Sequence, residues 1–153
     1  MHRDPSRKRC EGASALSNIQ RVSSLMMDFL GRAHRADSLA GSLPAGPAHD
    51  RAERERDELY IAARDLRRLI IELEPTDLTD AAVQLMAMIF EMDTDAPAEP
   101  QSSRRAFANV AVGLLITLRD AGAKIPDRMA HHFLTVDQAA RLDPAAASHA
   151  ATS

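Results

Sequence analysis

The stretch RAERERDELYIAARDLRRLIIELEPTDLTDAAVQLMAMIFEM, residues Arg51–Met92, decides the fold of this chain. Leu59, Leu66 and Leu73 recur in it at heptad spacing, opposite a face of Arg, Asp and Glu. Apolar residues at every third or fourth position predict an amphipathic helix that buries one face. Further apolar residues fill the same stripe, namely Ala62, Ala63, Leu69 and Ile70. A chain built in this way buries helix against helix, so we predict an all-α fold.

A proline divides this stretch into two helices. Pro75 ends the first helix, and Thr76 or Asp77 provides a cap for the second, which runs to about Met92. The second helix carries a wide apolar band that comprises Leu78, Ala82, Val83, Leu85, Met86, Ala87, Met88, Ile89 and Phe90. A band of this width predicts a central helix, or a helix that a second copy of the chain covers.

The rest of the chain adds one helix before these two and two helices after them. Apolar periodicity predicts a first helix over about 14–37 and a fourth over about 102–121. Pro126 suits the first turn of a short fifth helix. The apolar stripe of the fourth helix comprises Phe107, Val110, Ala111, Leu114, Leu115 and Leu118. We therefore predict a bundle of four main helices plus a short fifth, with the second, third and fourth helices forming the core.

Composition also predicts where the chain is not helical. Residues 1–13 form a basic leader without periodicity and residues 143–153 an Ala/Ser tail, and both are predicted to be disordered around a single helical domain at 14–142. The segment 38–48 is predicted to be a linker that lets the first helix dock beside the others or swap onto another copy, and 93–103 is predicted to be a second linker. The first linker is inferred from Gly41, Pro44, Gly46 and Pro47.

Charge and composition narrow the classes of partner. The 153 residues carry a net charge of −3, which disfavours a general nucleic-acid binder, because such proteins have a basic footprint. Aromatic residues make up 3% of the chain and Trp is absent, so the core must be aliphatic. Cys10 is the only cysteine, and the uncharged stretch between Arg105 and Arg119 is too short to cross a membrane. We predict a cytoplasmic protein that makes no membrane contact.

Four carboxylates cluster around the turn at Pro75: Glu72, Glu74, Asp77 and Asp80. Paired carboxylates perform acid–base catalysis when burial raises the pKa of one of them. At this position Asp77 and Asp80 are also well placed to cap a helix, and Glu72 and Glu74 are predicted to be exposed to solvent. Capping is the favoured interpretation.

The histidines do not predict a metal site. His131 and His132 are adjacent, so on a helix their side chains point about 100° apart, and Asp127 supplies only one further ligand. His34 and His49 have no ligand partner that the sequence reveals. We predict no metal and no cofactor. Arg128 and His132 resemble the Arg–His pair of the small helical HEPN ribonucleases, which implies RNA cleavage, but they are one residue closer together than in that family.

Two groups of arginines form a candidate partner-binding basic patch. Arg64, Arg67 and Arg68 share one side of the second helix, while Arg104 and Arg105 open the fourth. Such a patch suits an acidic partner or a phosphate backbone. Interleaved carboxylates favour the other interpretation, a solvated face with local ion pairs.

The segment Leu134–Leu142, LTVDQAARL, resembles the first helix of excisionase-type helix-turn-helix domains. That resemblance implies DNA binding through a recognition helix that follows a turn. Here Asp143 and Pro144 lead instead into the Ala-rich tail, so a plain capped terminal helix is the favoured interpretation.

Three functions remain open at this point. The favoured one is a small bacterial interaction or adaptor protein without catalytic activity, which binds another protein and forms a homodimer. The alternative is a DNA-associated transcriptional or mobile-element regulator. The third is a hydrolytic enzyme, which would need polar groups that converge in a pocket between helices.

Overall fold

The computed structural model describes residues 16–94 and 101–142, and within these two ranges the chain consists of helices without a strand. The prediction of an all-α fold is confirmed. The six helices are α1 (Asn18–Ser42), α2 (Pro47–Glu72), α3 (Leu78–Thr94), α4 (Gln101–Asp120), α5 (Asp127–Phe133) and α6 (Val136–Leu142). The predicted disordered leader at 1–13 and tail at 143–153 lie outside the described residues.

The predicted linker at 38–48 is wrong, because most of it is helical. α1 continues through Gly41 to Ser42, and only Leu43–Gly46 connects it to α2. Pro47 occupies the first turn of α2, where the missing N–H costs no hydrogen bond, and Gly46 has φ 153°, which favours glycine. Ala40 is buried, so packing extends the helix beyond the point where composition predicts its end. α1 therefore docks on α2 of its own chain as an antiparallel hairpin.

The later helix boundaries also differ from the prediction. α3 extends to Thr94 and α4 begins at Gln101, so the predicted second linker is shorter than 93–103. The predicted fifth helix is two helices, because a cap starts α6 separately. In this cap the Thr135 N–H donates to Gln138 Oε1 at 2.9 Å, and the Gln138 N–H donates to Thr135 Oγ1 at 3.3 Å. This reciprocal pair is a capping box, which satisfies two N–H groups at the start of α6.

α3 lies at the centre of the bundle, as its apolar band predicts. It packs against α1, α2, α4 and α5. Five of its apolar side chains have no exposed surface: Ala82, Val83, Met86, Ala87 and Ile89. Ile19, Met26, Ile70, Val112, Leu115 and Phe133 from the other helices join them in one apolar cluster. The main core is therefore built around α3.

Contacts between side chains fix the register of α3 with its neighbours. Arg67 Nε donates to Glu91 Oε2 at 2.8 Å, and Gln84 Nε2 donates to the Ile70 carbonyl at 2.9 Å, so α2 runs antiparallel to α3. The Lys124 N–H, just after α4, donates to Thr79 Oγ1 at 3.0 Å, so α4 is also antiparallel to α3. α2 and α4 thus flank α3 on two sides.

The distal half of the α1–α2 hairpin forms a second, smaller apolar seam. Ala36 and Ala40 of α1 and Ala52 and Leu59 of α2 are buried, yet they are not part of the main apolar cluster. Alanine side chains let two helices approach closely but bury little area each. This half of the hairpin is held mainly by the fit of small residues between two helices.

Candidate interaction surface

The outward side of α4 is apolar and open. Val110 is 66% exposed and Leu114 51% exposed, within a run of thirteen residues, 106–118, that contains no charge. The sequence places both residues in one apolar stripe with Ala111 and Leu115. The structure divides that stripe, because Ala111 and Leu115 are buried against the core and Val110 and Leu114 are not.

A matching stripe runs along α3. Leu78 is 44% exposed and Met88 39% exposed, and Ala81, Leu85 and Met92 are half-buried. These five positions follow one another at steps of three and four residues, so they share one face of the helix. This face lies opposite the one that carries Val83 and Met86 into the core.

The two stripes lie on helices that pack against each other. The side of α4 that carries Asn109 faces α6, since Arg141 donates to Asn109 Oδ1 at 3.2 Å. Leu114 lies on the opposite side of α4 and so faces away from α6. We name the two stripes together the α3–α4 face and define it by Leu78, Ala81, Leu85, Met88, Met92, Phe107, Val110, Leu114 and Leu118. Exposed apolar surface of this kind marks interaction sites on folded proteins.

α2 forms a charged border beside the α3–α4 face. Arg68 Nε lies 3.6 Å from Glu91 Oε1, near the end of α3. Arg64 Nε lies 3.7 Å from Asp65 Oδ1, and both side chains are largely exposed. Glu72 is exposed near the end of α2, level with Gln84 in the middle of α3. Basic and acidic side chains therefore alternate along this border.

Arg67 is part of the interior rather than of an exposed patch. Its residue surface is 8% exposed, its Nε donates to Glu91, and its guanidinium carbon lies 4.6 Å from the centre of the Phe90 ring. This combination of an ion pair and a cation–π contact joins α2 to α3. Of the three arginines predicted on α2, two are exposed and one is structural.

The arginines of α4 lie beside α6. Arg104 and Arg105 line a groove of about 410 Å³ together with Arg141 of α6. Asp137 and Gln138 line the same groove and make it only partly basic. The structure thus brings a third arginine to this pair, which the sequence did not reveal because α6 lies about thirty residues farther along the chain.

Of the four carboxylates at the Pro75 turn, Asp77 and Asp80 accept capping hydrogen bonds, as predicted, while Glu72 and Glu74 are exposed. Asp77 Oδ1 accepts the Asp80 N–H at 2.8 Å. Asp80 is fully buried and accepts hydrogen bonds from Ser17 Oγ at 2.5 Å and from the Thr76 N–H and Oγ1 at 3.0 and 2.7 Å. Burial alone would raise the pKa of Asp80, but the hydrogen bonds from Ser17 and Thr76 outweigh it and hold that pKa below its ordinary value. A carboxylate held ionised in this way ties α1 to α3 and is a poor proton acceptor.

The four residues Asp127, Arg128, His131 and His132 do not form one site. His132 stacks on Phe90 with ring centres 5.3 Å apart, and burial, with smaller effects from His34 and Arg67, lowers its pKa. His131 and Arg128 are exposed, and Arg128 lines a groove to which His132 does not contribute. The HEPN-like pair is therefore separated, with His132 stacked on Phe90 and Arg128 at the side of the groove.

Arg128 borders a groove of about 730 Å³. Met27, Val83 and Met129 contribute apolar surface to it, and Asp77 and Lys124 contribute charge. The groove lies where the start of α1, the start of α3 and the connection from α4 to α5 meet. Its opposite charges do not converge on one reacting atom, and it is a second candidate surface rather than an active site.

One group of side chains near the start of α2 has ligand atoms close enough for a metal ion. The ligand atoms of His49, Asp50 and Glu53 lie within 4.8 Å of one another. His49 Nδ1 is 3.6 Å from Asp50 Oδ1 and 3.7 Å from Glu53 Oε2, so His49 does have partners that the sequence analysis missed. The spacing of three and four residues on a helix was the available signal. Exposed acidic groups of this kind are common on protein surfaces without a metal.

The segment Leu134–Leu142 contains α6, and its Thr135 cap supports the interpretation as a capped helix. The residues where a recognition helix would follow lie outside the described ranges. No family model matches this chain, and no curated protein or solved structure is significantly similar to it. Across the helices that the structure describes, none is both long and apolar enough to cross a membrane.

Proposed function

We propose that this chain is a small cytoplasmic interaction or adaptor protein that acts by binding another polypeptide and not by catalysis. The observation that carries the proposal is the exposure of Val110 and Leu114 in the middle of α4, within the uncharged stretch 106–118. Exposing two large aliphatic side chains side by side is unfavourable in water, and a bound partner removes that cost.

The positions of the chemically active side chains support binding over catalysis. Asp77 and Asp80 cap α3, Arg67 pairs with Glu91, and His132 stacks on Phe90. Each of these groups is engaged in holding one helix against another. A hydrolytic site needs a base, a nucleophile or metal, and a pocket at one place.

Site-specific photo-crosslinking in the native host tests the proposal. A benzoylphenylalanine at position 110 is expected to form covalent products that contain another polypeptide chain, identified by mass spectrometry. The matched control places the same group at position 39, since Leu39 is exposed to the same extent as Leu114 but lies on α1. If position 110 gives no more product than position 39, the proposed function is wrong.

A DNA-associated regulator remains the second candidate, and one observation favours it. Arg104, Arg105 and Arg141 line the same groove, which gives a local basic surface despite the acidic net charge. Anisotropy of a labelled DNA duplex measures this directly. If the arginines contact phosphates, binding weakens steeply as the salt concentration rises. Arg105→Ala should then lower the slope of the logarithm of the binding constant against the logarithm of the salt concentration by about one. Binding that is absent at low salt removes this candidate.

A further inference from the structure

We infer that the groove beside Arg128, between α1, α3 and α5, binds a small amphiphile that has one aliphatic chain and an anionic head group. The groove shares no residue with the α3–α4 face, so this inference goes beyond the proposed function and does not depend on it. It rests on three features: the size of the groove, the aliphatic character of its walls and the charge of the side chains that line it.

The groove has the size of a small-molecule site. Such sites usually enclose about 300–1,000 Å³ and are lined mainly by apolar side chains with a few polar groups. The groove, at about 730 Å³, lies within this range. Its walls come from the first turns of α1, the start of α3 and the segment from Gly122 to Met129. Because α1 and α5 both pack on α3, the bundle itself holds these walls in place.

The walls favour a flexible aliphatic chain over an aromatic ring. Met27 of α1 and Met129 of α5 line the groove, with Leu16 and Ile125 beside them. Methionine is unbranched and adapts its shape to what it contacts. Among the described residues that line the groove there is no Phe, Tyr or His on which a ring could stack. Leu16 is 57% exposed, and a bound aliphatic chain would remove part of that surface from water.

The charged side chains of the groove favour an anion. Lys124 and Arg128 are exposed and line it, and within the described part of the chain neither forms an ion pair with a carboxylate. Asp77 lines the groove as well, but it is already an acceptor for the chain itself. Its Oδ1 accepts the Asp80 N–H at 2.8 Å, and its Oδ2 accepts from Gln20 Nε2 at 3.4 Å. A carboxylate or phosphate head group would therefore find two cations that the chain has not paired.

Local structure holds both cations at the side of the groove. Gly122 has φ 101°, which favours glycine, and it turns the chain directly after α4. The Lys124 N–H then donates to Thr79 Oγ1 at 3.0 Å, which ties this segment to the start of α3. Pro126 has a fixed φ directly before α5, the helix that carries Arg128. The backbone at both cations is thus positioned before a ligand binds.

Isothermal titration calorimetry with sodium decanoate, below its micellar concentration, tests the site. We expect one molecule bound per chain, and Lys124→Ala/Arg128→Ala should weaken binding about tenfold because it removes both cations. The matched control Arg51→Ala/Arg54→Ala removes two exposed cations from α2 and should bind decanoate as the wild type does. Absence of binding to the wild-type chain overturns the inference, and so do equal affinities of the two variants.

A change of head group tests the sign of the charge without any substitution. Decyltrimethylammonium carries a ten-carbon chain on a cationic head and should bind about tenfold more weakly than decanoate. Equal affinities for the two compounds would show that the head group is not recognised and would overturn the inference. Decyl phosphate supplies the other anionic head group. Binding of either anion supports the inference, and the tighter of the two identifies the head group.

A third variant shows where the chain of the ligand lies. Val110→Asp/Leu114→Asp removes exposed apolar surface from the α3–α4 face, the other place that offers contact to an aliphatic chain. Decanoate affinity should be the same in this variant as in the wild type. A loss as large as that of Lys124→Ala/Arg128→Ala would place the ligand on the α3–α4 face and overturn the inference, while the proposed function would stand.

Discussion

The α1–α2 hairpin and the α3–α4 hairpin are both pairs of antiparallel helices, but their exposed side chains differ. On the distal part of α1–α2, charged groups cover the outside, including the pairs Arg32–Glu55 and Arg56–Asp37, while alanines such as Ala36 close the seam. On α3–α4, the core takes one half of each apolar stripe and leaves the other half to solvent. Both hairpins leave large apolar side chains exposed, such as Leu39 and Ile61 on the first and Val110 and Leu114 on the second. The difference is that Val110 and Leu114 lie in a stretch of helix without charge, whereas Leu39 and Ile61 lie among charged residues.

The largest effect is expected where the two hairpins are tied together. Asp80→Ala removes the buried acceptor of Ser17 before α1 and of Thr76 before α3, so both donors lose their partner. We expect a loss of about 3 kcal/mol in the free energy of unfolding, measured by urea denaturation. Asp77→Ala, which removes a helix cap and a long, exposed hydrogen bond from Gln20 Nε2 at 3.4 Å, should cost about 1 kcal/mol. Equal losses for both variants would show that Asp80 is an ordinary cap and does not join the hairpins.

A matched pair of alanine substitutions separates the closed seam from the open face. Ala36→Leu enlarges a buried residue between α1 and α2 and should cost about 2 kcal/mol through overpacking. Ala106→Leu makes the same change at an exposed position of α4 and should stay within about 0.5 kcal/mol. Thermal unfolding followed by circular dichroism measures both. Similar costs would contradict the difference between the hairpins.

A smaller, pH-dependent effect is expected where α5 meets both hairpins. The pKa of His132 is lowered from 6.5 by burial and by nearby His34 and Arg67, so the unfolded chain takes up a proton at higher pH than the folded chain. The free energy of unfolding therefore keeps its full value with respect to His132 above pH 6.5. It declines as the pH falls below 6.5 and levels off below the folded-state pKa of His132. Urea denaturation between pH 8 and 5 should show this decline. His132→Phe should flatten it, and exposed His131→Asn should leave it unchanged.

The smallest effect is expected at the ion pairs that cover the α1–α2 hairpin. Arg32 Nη2 lies 3.7 Å from Glu55 Oε1, and about half of each side chain is exposed. Because solvent screens such pairs, Arg32→Ala should change the free energy of unfolding by no more than about 0.5 kcal/mol. Denaturant titrations at low and high salt measure it. A loss above 1 kcal/mol would mean that charge pairing, and not the alanine seam, holds this hairpin together.

The sequence predicted correctly those features that depend on residues close together in the chain. It failed for features that depend on contacts between helices. The fold class, the central position of α3 and the capping role of Asp77 and Asp80 all follow from spacing and residue type. The prediction of a linker at 38–48 failed because α1, with Ala40 buried, continues past Gly41, a residue that usually ends a helix. The groove shared by Arg104, Arg105 and Arg141 was not predictable, since it depends on α6 folding back onto α4.

The sequence by itself determined the helices, because a repeat of three and four apolar residues and a capping side chain act within a few residues of one another. It also determined that α4 has one continuous apolar stripe. Only the tertiary structure decided that Leu115 is covered and Leu114 is open, because burial depends on which helix lies alongside. Among the described helices, α3 and α6 pack against α4 and leave its side at Val110 and Leu114 exposed.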